Sequence, residues 1–465
     1  MSNFFIRKPS NKPNGVLKRK ANKPKVHYPK KVKKSLPKFP RQSDDEEIPS
    51  DDEEVHYKDL GKESEEELLT ASEKKSQLAK SYFKEIEEKE NKKLENDEAV
   101  DEGVLDRLKV DVLIEAGKFK KKVLGNFNKE ISEENIKVLK CKEHKLAITV
   151  VILSSDCKHI YSGSKDGYIV KWTIDGSKVK CLPPRHKDKS NEKLHSSSIL
   201  SLALSENDKY LASSDEGAVI QIWEADTFKH YHSFLGHKAS VTGLAFCKIT
   251  QNLYSCSKDK TVKVWSMIEK AYIETLFGHH ECITGIDVLC KGRAVTSGGT
   301  DSTCRVWKIE EETQLIYNGN TRSIDSVRRL DDAHFVSCSE DGSLYLWATS
   351  KKKPLVKVEA AHSLDPVTGE PYWISSIACI PNSEVFASGS NDGKVRFWNC
   401  ADNYRNFTEF YSIPVKGFIN SMVFSSDNNY LVLGIGQEHK LGRWSKVKEA
   451  KNCIVVVNNL MIDTS

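Results

Sequence analysis

Residues 162–172 of the chain are SGSKDGYIVKW, and residues 388–398 are SGSNDGKVRFW. Each stretch has a polar turn rich in Ser, Asp and Gly, followed by an alternation of apolar and polar residues. This turn chemistry and this alternation predict short β-strands joined by a tight turn. Segments of this kind end in tryptophan at seven places: Trp172, Trp223, Trp265, Trp307, Trp347, Trp398 and Trp444.

The seven tryptophans recur at intervals of 40 to 51 residues. A self-similar period of this length predicts a propeller or a solenoid, in which each repeat is one small unit of structure. Most repeats open with a histidine, and five have an aspartate six residues before the tryptophan. The histidines are His144, His195, His237, His279 and His362, and the aspartates are Asp166, Asp259, Asp301, Asp341 and Asp392.

The repeated Asp, His and Trp residues predict a structural network. In each four-stranded unit the turn aspartate can bond the histidine, and the histidine can reach the indole N–H, which satisfies buried polar groups. The alternative is a catalytic Ser-His-Asp arrangement, and there is no chemical reason for an enzyme to repeat such a site five times. The repeats resemble those of WD-repeat proteins over residues 135–460. The resemblance implies an all-β fold, a seven-bladed WD-repeat β-propeller.

Three repeats depart from the common pattern. The second has Asp215 in a displaced position and Gly217 at the turn. The fifth opens with Gly319-Asn320, and the seventh has Glu438 and no opening histidine. These departures mark the places where the repeats are expected to differ in structure.

Closure of the ring is a separate question, because an open propeller would expose a sheet edge. Propellers usually close with one strand from the opposite terminus. Residues 136–142 (IKVLKCK) are the first choice for that strand. Residues 453–457 (CIVVV) compete with it or add a strand.

Charge is segregated along the chain, although the net charge is only +5. Residues 1–41 contain fourteen Lys and Arg and no acidic residue, residues 42–134 sum to −13, and the remainder is near +4. Residues 1–62 have too few large apolar side chains to offset the entropy of ordering, so they are expected to form a disordered tail, basic and then acidic.

Two functions are expected for this tail, with a merely solubilising role as the alternative. Its basic clusters resemble nuclear import signals and suit sequence-independent contact with nucleic-acid phosphates. Two SDDEE blocks are predicted substrates of an acidophilic kinase, and phosphorylation would add negative charge there. The import residues are Lys18, Arg19, Lys20, Lys30, Lys31, Lys33 and Lys34, and the phosphorylation sites are Ser43 and Ser50.

Residues 63–134 are predicted to form a helical extension. Apolar residues recur in it at spacings of three and four, which gives a stripe that needs a partner surface. The stripe is expected to dock on the propeller or on another protein, and the alternative is a solvated single helix. Its residues are Leu78, Ala79, Tyr82, Phe83 and Ile86.

Several protein classes are disfavoured by the sequence. No apolar run approaches the roughly 18 residues of a membrane span, and the N-terminus lacks a secretory signal, so a soluble intracellular protein is expected. Twelve scattered cysteines, without zinc spacing, predict buried thiols in a reducing compartment and no metal. Because phosphate-binding glycine loops and nucleophile motifs are missing, we expect no catalysis, no cofactor and no small-molecule substrate.

Candidate binding residues lie in three long connections: residues 182–194, 363–373 and 434–444. In a propeller all three are expected to open on the same face. Unpaired RNA bases are recognised by aromatic side chains beside Arg and Lys, although Trp373 has packing beneath its insertion as an alternative role. The candidate RNA-binding residues are Arg185, Lys187, Lys189, Trp373, Gln437, His439, Lys440 and Arg443.

Five segments resemble one particular family. They are LTASEKKSQLAKSYFKEI (69–86), YIETLFGHHECITGIDVL (272–289), VTSGGTDSTCRVWKI (295–309), PYWISSIA (371–378) and GFINSMVFSSDNNYLVLGIGQEHKLGRW (417–444). They are similar to the WD-repeat proteins specific to the U3 small nucleolar ribonucleoprotein. The resemblance implies binding to U3 RNA and to box C/D core proteins and other small-subunit processome proteins, in the nucleolus, in processing that leads to the 18S ribosomal RNA.

A competing hypothesis makes the chain a peptide-binding adaptor of a nuclear multiprotein complex, without direct RNA contact. It explains the fold equally well. The lysine-rich tail and the unusual seventh repeat favour the hypothesis of RNA binding, because a peptide-binding adaptor would not need them.

Overall fold

The computed structural model describes residues 120–461, except 129–130, 141, 188–192, 249, 291, 320–321, 367, 402–403 and 443–444, together with residues 80, 84, 107–109 and 112–113. The predicted tail, its import and phosphorylation sites and the apolar stripe at 78–86 lie outside these residues. So do Lys189, Arg443 and Trp444. Within the described part, none of the helices has the length and apolar character to cross a bilayer.

The described residues form seven four-stranded antiparallel sheets. In chain order the strands are β1 (Ile136–Leu139), β2 (Ile148–Leu153), β3 (His159–Ser164), β4 (Ile169–Thr173), β5 (Lys178–Leu182), β6 (Ile199–Leu204), β7 (Tyr210–Asp215), β8 (Ile220–Glu224), β9 (His230–Phe234), β10 (Val241–Phe246), β11 (Leu253–Ser257), β12 (Thr261–Ser266), β13 (Ala271–Phe277), β14 (Ile283–Leu289), β15 (Arg293–Gly298), β16 (Thr303–Lys308), β17 (Thr313–Asn318), β18 (Ile324–Arg329), β19 (His334–Ser339), β20 (Leu344–Ala348), β21 (Val356–Val358), β22 (Ile374–Cys379), β23 (Val385–Ser390), β24 (Lys394–Ala401), β25 (Asn406–Pro414), β26 (Phe418–Phe424), β27 (Leu431–Gly436) and β28 (Cys453–Val457).

Each sheet is one blade of a ring. Blade 1 contains β2–β5, blade 2 β6–β9, blade 3 β10–β13, blade 4 β14–β17, blade 5 β18–β21 and blade 6 β22–β25, while blade 7 contains β26–β28 and β1. The first strand of each blade packs against the first strand of the next, and β26 packs against β2. The fold is therefore a closed seven-bladed β-propeller, which confirms the fold predicted from the repeats.

Blade 7 closes the ring with strands from both ends of the repeat region. Strand β28 pairs with β27 on one side and with β1 on the other, and Ile136 lies opposite Val457. Both segments considered for closure therefore belong to the same sheet. Because β1 covers the free edge of β28, the two ends of the ring are joined by backbone hydrogen bonds.

The assignment of Trp444 as a blade-end tryptophan is wrong. The third strand of blade 7 is β28, which begins nine residues after Trp444. The blade-end position, opposite the first residue of β27, is taken by Val457. The strongly β-forming run CIVVV takes this strand position, and Trp444 precedes it in the sequence, outside the described residues.

A hydroxyl group joins the histidine and the tryptophan in the regular blades. In blade 3, His237 Nδ1 lies 2.8 Å from Asp259 and its Nε2 lies 2.7 Å from Ser255 Oγ. The indole of Trp265 donates to the same Ser255 oxygen at 2.8 Å. The predicted direct hydrogen bond between the histidine and the indole N–H is therefore wrong. The serine hydroxyl lies between the two rings and is the hydrogen-bond partner of both.

The same bridge recurs around the ring with small changes. It links His144 to Trp172 through Ser162, His195 to Trp223 through Ser213, His279 to Trp307 through Thr296, and His362 to Trp398 through Ser388. In blade 5, where no histidine opens the repeat, Trp347 still donates to Ser337. The network is thus structural, as the repeated pattern predicts.

The turn aspartates are less uniform than the sequence predicts. Asp301 and Asp392 bond His279 and His362, as expected. Asp166 instead accepts the backbone N–H of Leu146, so the predicted pair with the histidine of blade 1 is wrong.

Two other turn carboxylates vary in the same way. Asp341, in the repeat without a histidine, accepts the backbone N–H of Ser343. The displaced Asp215 still comes within 3.1 Å of His195 Nδ1. The carboxylate of Asp215 therefore reaches the ordinary partner from another backbone position.

The segment before the ring is held at the junction of blades 6 and 7. Phe127 is buried and packs edge-on against Phe410 at 4.9 Å between ring centroids. Lys121 donates its backbone N–H to Asn382 at 2.7 Å. These contacts give residues 120–128 a fixed path along the propeller.

The helical extension predicted for residues 63–134 does not continue to its expected end. Described helical residues occur at 80, 84, 107–109 and 112–113. Residues 120–135 contain only two single 3₁₀ turns, Leu124–Asn126 and Glu133–Asn135. Burial of the Phe127 side chain against blade 6 stabilises this non-helical path.

Candidate nucleic-acid interface

The connection between β27 and β28 is the most unusual loop of the propeller. It spans residues 437–452, and we call it the blade 7 loop. The corresponding connection of blade 1 spans only residues 165–168. The blade 7 loop therefore has enough length to reach across the face of the ring.

Ion pairing fixes one side of the blade 7 loop to blade 1. Glu438 lies 3.3 Å from Lys165, and both side chains are about nine-tenths buried. The same ammonium group donates to the carbonyl of Gly442 at 3.1 Å. Because a buried charge is costly unless it is paired, this contact holds the loop against the ring.

Hydrogen bonds from blade 7 itself shape the rest of the loop. The side chain of Asn420, on β26, donates to the carbonyl of Glu438 at 3.1 Å and accepts the backbone N–H of Lys440 at 3.0 Å. Gln437 donates from its side chain to the carbonyl of Ala450 at 2.7 Å. In this structure the Gln437 amide is therefore used inside the loop.

His439 and Trp373 are brought together by the fold. Their rings stack with centroids 4.1 Å apart, and His439 is only 1% exposed. Burial, followed by the nearby charges of Lys440 and Lys165, lowers the pKa of His439 to about 2, so the ring is neutral. Trp373 donates its indole N–H to Asp325 on β18.

Lys440 lies at one end of the central channel. The seven inner strands enclose this channel of about 320 Å³, and Asp325, Asn420 and Lys440 are among its lining residues. The Lys440 ammonium lies 3.5 Å from the carbonyl of Ser375 on β22. Burial raises the pKa of Asp325 to about 7 and lowers the pKa of Lys440 below its usual range. The blade 7 loop thus places Lys440 in the channel, where its charge acts on the Asp325 carboxyl of β18.

The basic finger at residues 182–194 remains at the surface. Arg185 and Lys187 are exposed, and the backbone N–H of Arg185 donates to His195 at 2.8 Å. The outer-to-inner connections, which include this finger and Trp373, open on the same face as the blade 7 loop, as the alternating strand directions require. The side chains of Arg185 and Lys187 are therefore open to a ligand on that face.

The sequence analysis did not identify two sets of residues at this site, the structural partners of the blade 7 loop and its exposed lysines. The structural partners Lys165, Asn420 and Asp325 lie outside the loop in sequence, so no local pattern marked them. The exposed side chains Lys446 and Lys448 belong to the loop but follow Trp444, where the third strand of the seventh repeat was expected to end.

The family comparison matches six of the seven blades. The sequence model of the family described as "WD domain, G-beta repeat" matches residues 135–173, 190–224, 228–266, 270–308, 312–348 and 362–399. Together with the closed ring and the bridged His and Trp residues, these matches define the class of the chain, a WD-repeat β-propeller.

Comparison with known proteins identifies the family within this class. The chain is 46% identical over 392 residues to "U3 small nucleolar RNA-interacting protein 2" of Mus musculus, an alignment that covers 83% of this chain and 82% of that protein. The Homo sapiens protein of the same name is also 46% identical over 392 residues, covering 83% of this chain and 82% of that protein. The chain belongs to the family of U3 small nucleolar RNA-interacting protein 2.

Solved structures agree with this assignment. A structure described as "Structure of U3-55K" superposes with a TM-score of 0.68 and 42% identity, covering 71% of this chain and all of that one. A "Crystal structure of RRP9 WD40 repeats" superposes with a TM-score of 0.67 at the same identity, covering 70% of this chain and 98% of that one. Both superpositions support the propeller fold at substantial sequence identity.

Proposed function

We propose that the chain is a non-catalytic subunit of the U3 small nucleolar ribonucleoprotein. In this role it binds U3 RNA, contacts box C/D core proteins and other small-subunit processome proteins, and supports the pre-ribosomal RNA processing that leads to the 18S RNA in the nucleolus. The observation that carries the proposal is 46% identity to proteins named for their interaction with U3 RNA, across 83% of the chain.

The proposed RNA contact lies on the face that carries the blade 7 loop and the basic finger. Arg185 and Lys187 on the finger and Lys446 and Lys448 on the loop are all exposed. RNA affinity depends largely on such cations, because each one that pairs with a phosphate releases condensed counterions. Lys189 and Arg443, which lie outside the described residues, are proposed to add to the same surface.

A supporting role is proposed for the remaining candidates. Gln437, His439, Lys440 and Trp373 have partners inside the protein in this structure. We assign them the task of shaping the blade 7 loop, so that its exposed lysines are presented in a fixed position. A loop that is already ordered loses less entropy on binding than a flexible one.

The proposal is tested by crosslinking the tagged full-length protein to RNA in cells and sequencing the recovered RNA. U3 RNA should be enriched with the unchanged chain and reduced about tenfold with Arg185→Glu combined with Lys187→Glu. The matched control is Lys351→Glu with Lys352→Glu, which reverses two exposed charges in the β20–β21 connection on the opposite face.

Each outcome has a distinct meaning. Absence of U3 RNA with the unchanged chain would overturn the proposed function and favour a peptide-binding adaptor. Equal recovery with the finger variant would leave the function standing but move the RNA contact away from the basic finger. In vitro, affinity for U3 RNA should fall steeply between 50 and 200 mM salt, as expected for several phosphate contacts.

A further inference from the structure

A second surface feature lies on the opposite face, between blades 2 and 3. There the connections β6–β7, β10–β11 and β12–β13 surround a pocket of about 250 Å³. We call it the blade 2–3 pocket, and its lining includes Tyr210, Tyr231, Phe246, Lys248, Met267 and Ile268. None of these residues takes part in the blade 7 loop or in the His–Trp bridges.

The blade 2–3 pocket contains apolar side chains that are open to solvent, beside polar groups such as Glu206 and Gln251. Ile268 is 76% exposed and Tyr231 is 36% exposed, while Met267 lies beneath them. Tyr272 and Ile273 on the outer strand β13 are also exposed. Contiguous exposed apolar groups of this kind mark sites of protein association on soluble proteins.

Cations surround these apolar side chains. The Lys270 ammonium lies 4.2 Å from the centre of the Tyr231 ring, and the Lys209 ammonium lies 5.3 Å from the Tyr210 ring. Hydrogen bonds with Tyr210 and Lys270 lower the pKa of the Tyr231 phenol. Because the two rings hold ammonium groups over their faces, positive charge is fixed at the rim before any ligand arrives.

Lys248 adds a third cation with a weakly held partner. It lies 3.7 Å from Glu206, and the two side chains are 66% and 52% exposed. An exposed ion pair of this kind contributes at most about 1 kcal/mol. A carboxylate from a ligand can therefore replace Glu206 at little cost.

The shape and chemistry of the pocket favour a peptide over a nucleobase. Bases stack on open, flat aromatic faces. In this pocket the rings of Tyr210 and Tyr231 are tilted by 43° to each other and carry lysines, and Ile268 is exposed above the buried Met267. Thioether and aliphatic groups pack well against a Leu, Ile or Phe side chain of a partner.

We propose that the blade 2–3 pocket binds an acidic peptide segment of a partner protein, with one large apolar side chain on its floor and flanking Asp or Glu residues on Lys209, Lys248 and Lys270. This surface goes beyond the proposed RNA contact, since it lies on the other face of the propeller. It gives the protein one face for RNA and one for a protein partner.

Fluorescence anisotropy of the full-length chain tests the proposal with a labelled peptide, DEELFDDE. A peptide with Leu and Phe replaced by Ser, DEESSDDE, measures the contribution of the apolar anchor. Tyr231→Ala should weaken binding of the first peptide about tenfold, as expected for loss of one anchoring contact. Lys209→Glu with Lys270→Glu should weaken it further and flatten its salt dependence, while DEESSDDE binds poorly throughout.

Two controls separate the pocket from general effects. Ile316→Ala removes an apolar side chain of β17 that is 37% exposed and lies outside the pocket, and Lys351→Glu with Lys352→Glu reverses charges elsewhere on the same face. Both should bind DEELFDDE like the unchanged chain, and all variants should keep its unfolding temperature. The proposal is overturned if the pocket variants bind the peptide normally, or if they lose binding to a twelve-nucleotide oligouridine instead.

Discussion

Blades 3 and 7 have the same four-stranded sheet but different chemistry at matching positions. In blade 3, Trp265 lies opposite Leu253, and Ser255 follows two residues later on the same strand. In blade 7 the matching positions hold Val457 and Leu433, both fully buried. Apolar packing has thus replaced the hydroxyl bridge.

The difference between these blades extends to the connection between their second and third strands. In blade 3, Asp259 in a short turn bonds His237 and keeps the turn close to the sheet. In blade 7 the connection extends over residues 437–452, and its described part shows no Asp–His bond of this kind. A blade without the Asp–His–Ser–Trp hydrogen bonds can therefore have a long connection, provided that other contacts hold that connection in place.

The largest effect is expected from removing the tryptophan of the polar blade. Trp265→Ala should lower the free energy of unfolding by about 3–5 kcal/mol, since it leaves a large cavity. Val457→Ala, at the matching position of blade 7, removes less volume and should cost about 2 kcal/mol. Urea unfolding followed by circular dichroism measures both, and equal losses would contradict the comparison.

A smaller effect is expected from removing the bridge alone. Ser255→Ala leaves His237 Nε2 and the Trp265 indole N–H buried without their shared partner, at a cost of about 1–3 kcal/mol. Ser255→Thr keeps the hydroxyl, as Thr296 does in blade 4, and should cost less than Ser255→Ala. If the two variants unfold alike in urea, the bridge does not stabilise the blade.

The smallest effect concerns the pH dependence of stability near the blade 7 loop. Burial raises the pKa of Asp325 to about 7, so between about pH 4 and 7 the folded chain retains a proton that the unfolded chain has lost. This group therefore lowers the free energy of unfolding as pH rises through that range. Asp325→Asn removes this contribution while keeping an acceptor for Trp373.

The test of the Asp325 prediction is urea unfolding at pH 5 and pH 8. Relative to the unchanged chain, the Asp325→Asn variant should gain on the order of 1–2 kcal/mol at the higher pH. Asp332→Asn, at a more exposed position of the same blade, is the matched control and should show no such gain. A constant difference between pH 5 and pH 8 would show that Asp325 is ionised throughout.

The sequence predicted the ring because its signals are local and repeated. A Ser-rich turn, an aspartate and a tryptophan lie within eleven residues of one another, so six blades could be recognised without knowing any distant contact. Trp444 misled the prediction, since in each of the six blades that end in tryptophan the preceding strand carries the hydroxyl that binds the indole. Strand β27 has Leu433 at that position, a signal that the sequence contained.

The candidate site was harder to predict, for a physical reason. Gln437, His439 and Lys440 were chosen as RNA contacts because such side chains bind RNA when exposed. His439 and Lys440 contact residues of blade 6 or of the connection before it, and the contact between His439 and Trp373 joins residues 66 positions apart in the sequence. Burial that depends on such distant packing has no local signature.

The pairing of β1 with β28 has a consequence for the order of events on the ribosome. Strand β1 leaves the ribosome first, but its partner β28 follows more than 300 residues later. At a synthesis rate of about 5–20 residues per second, β1 waits on the order of 15–60 seconds for that partner. During this interval the nascent ring stays open, and the exposed face of each newest blade depends on the next blade, or on a chaperone, for cover.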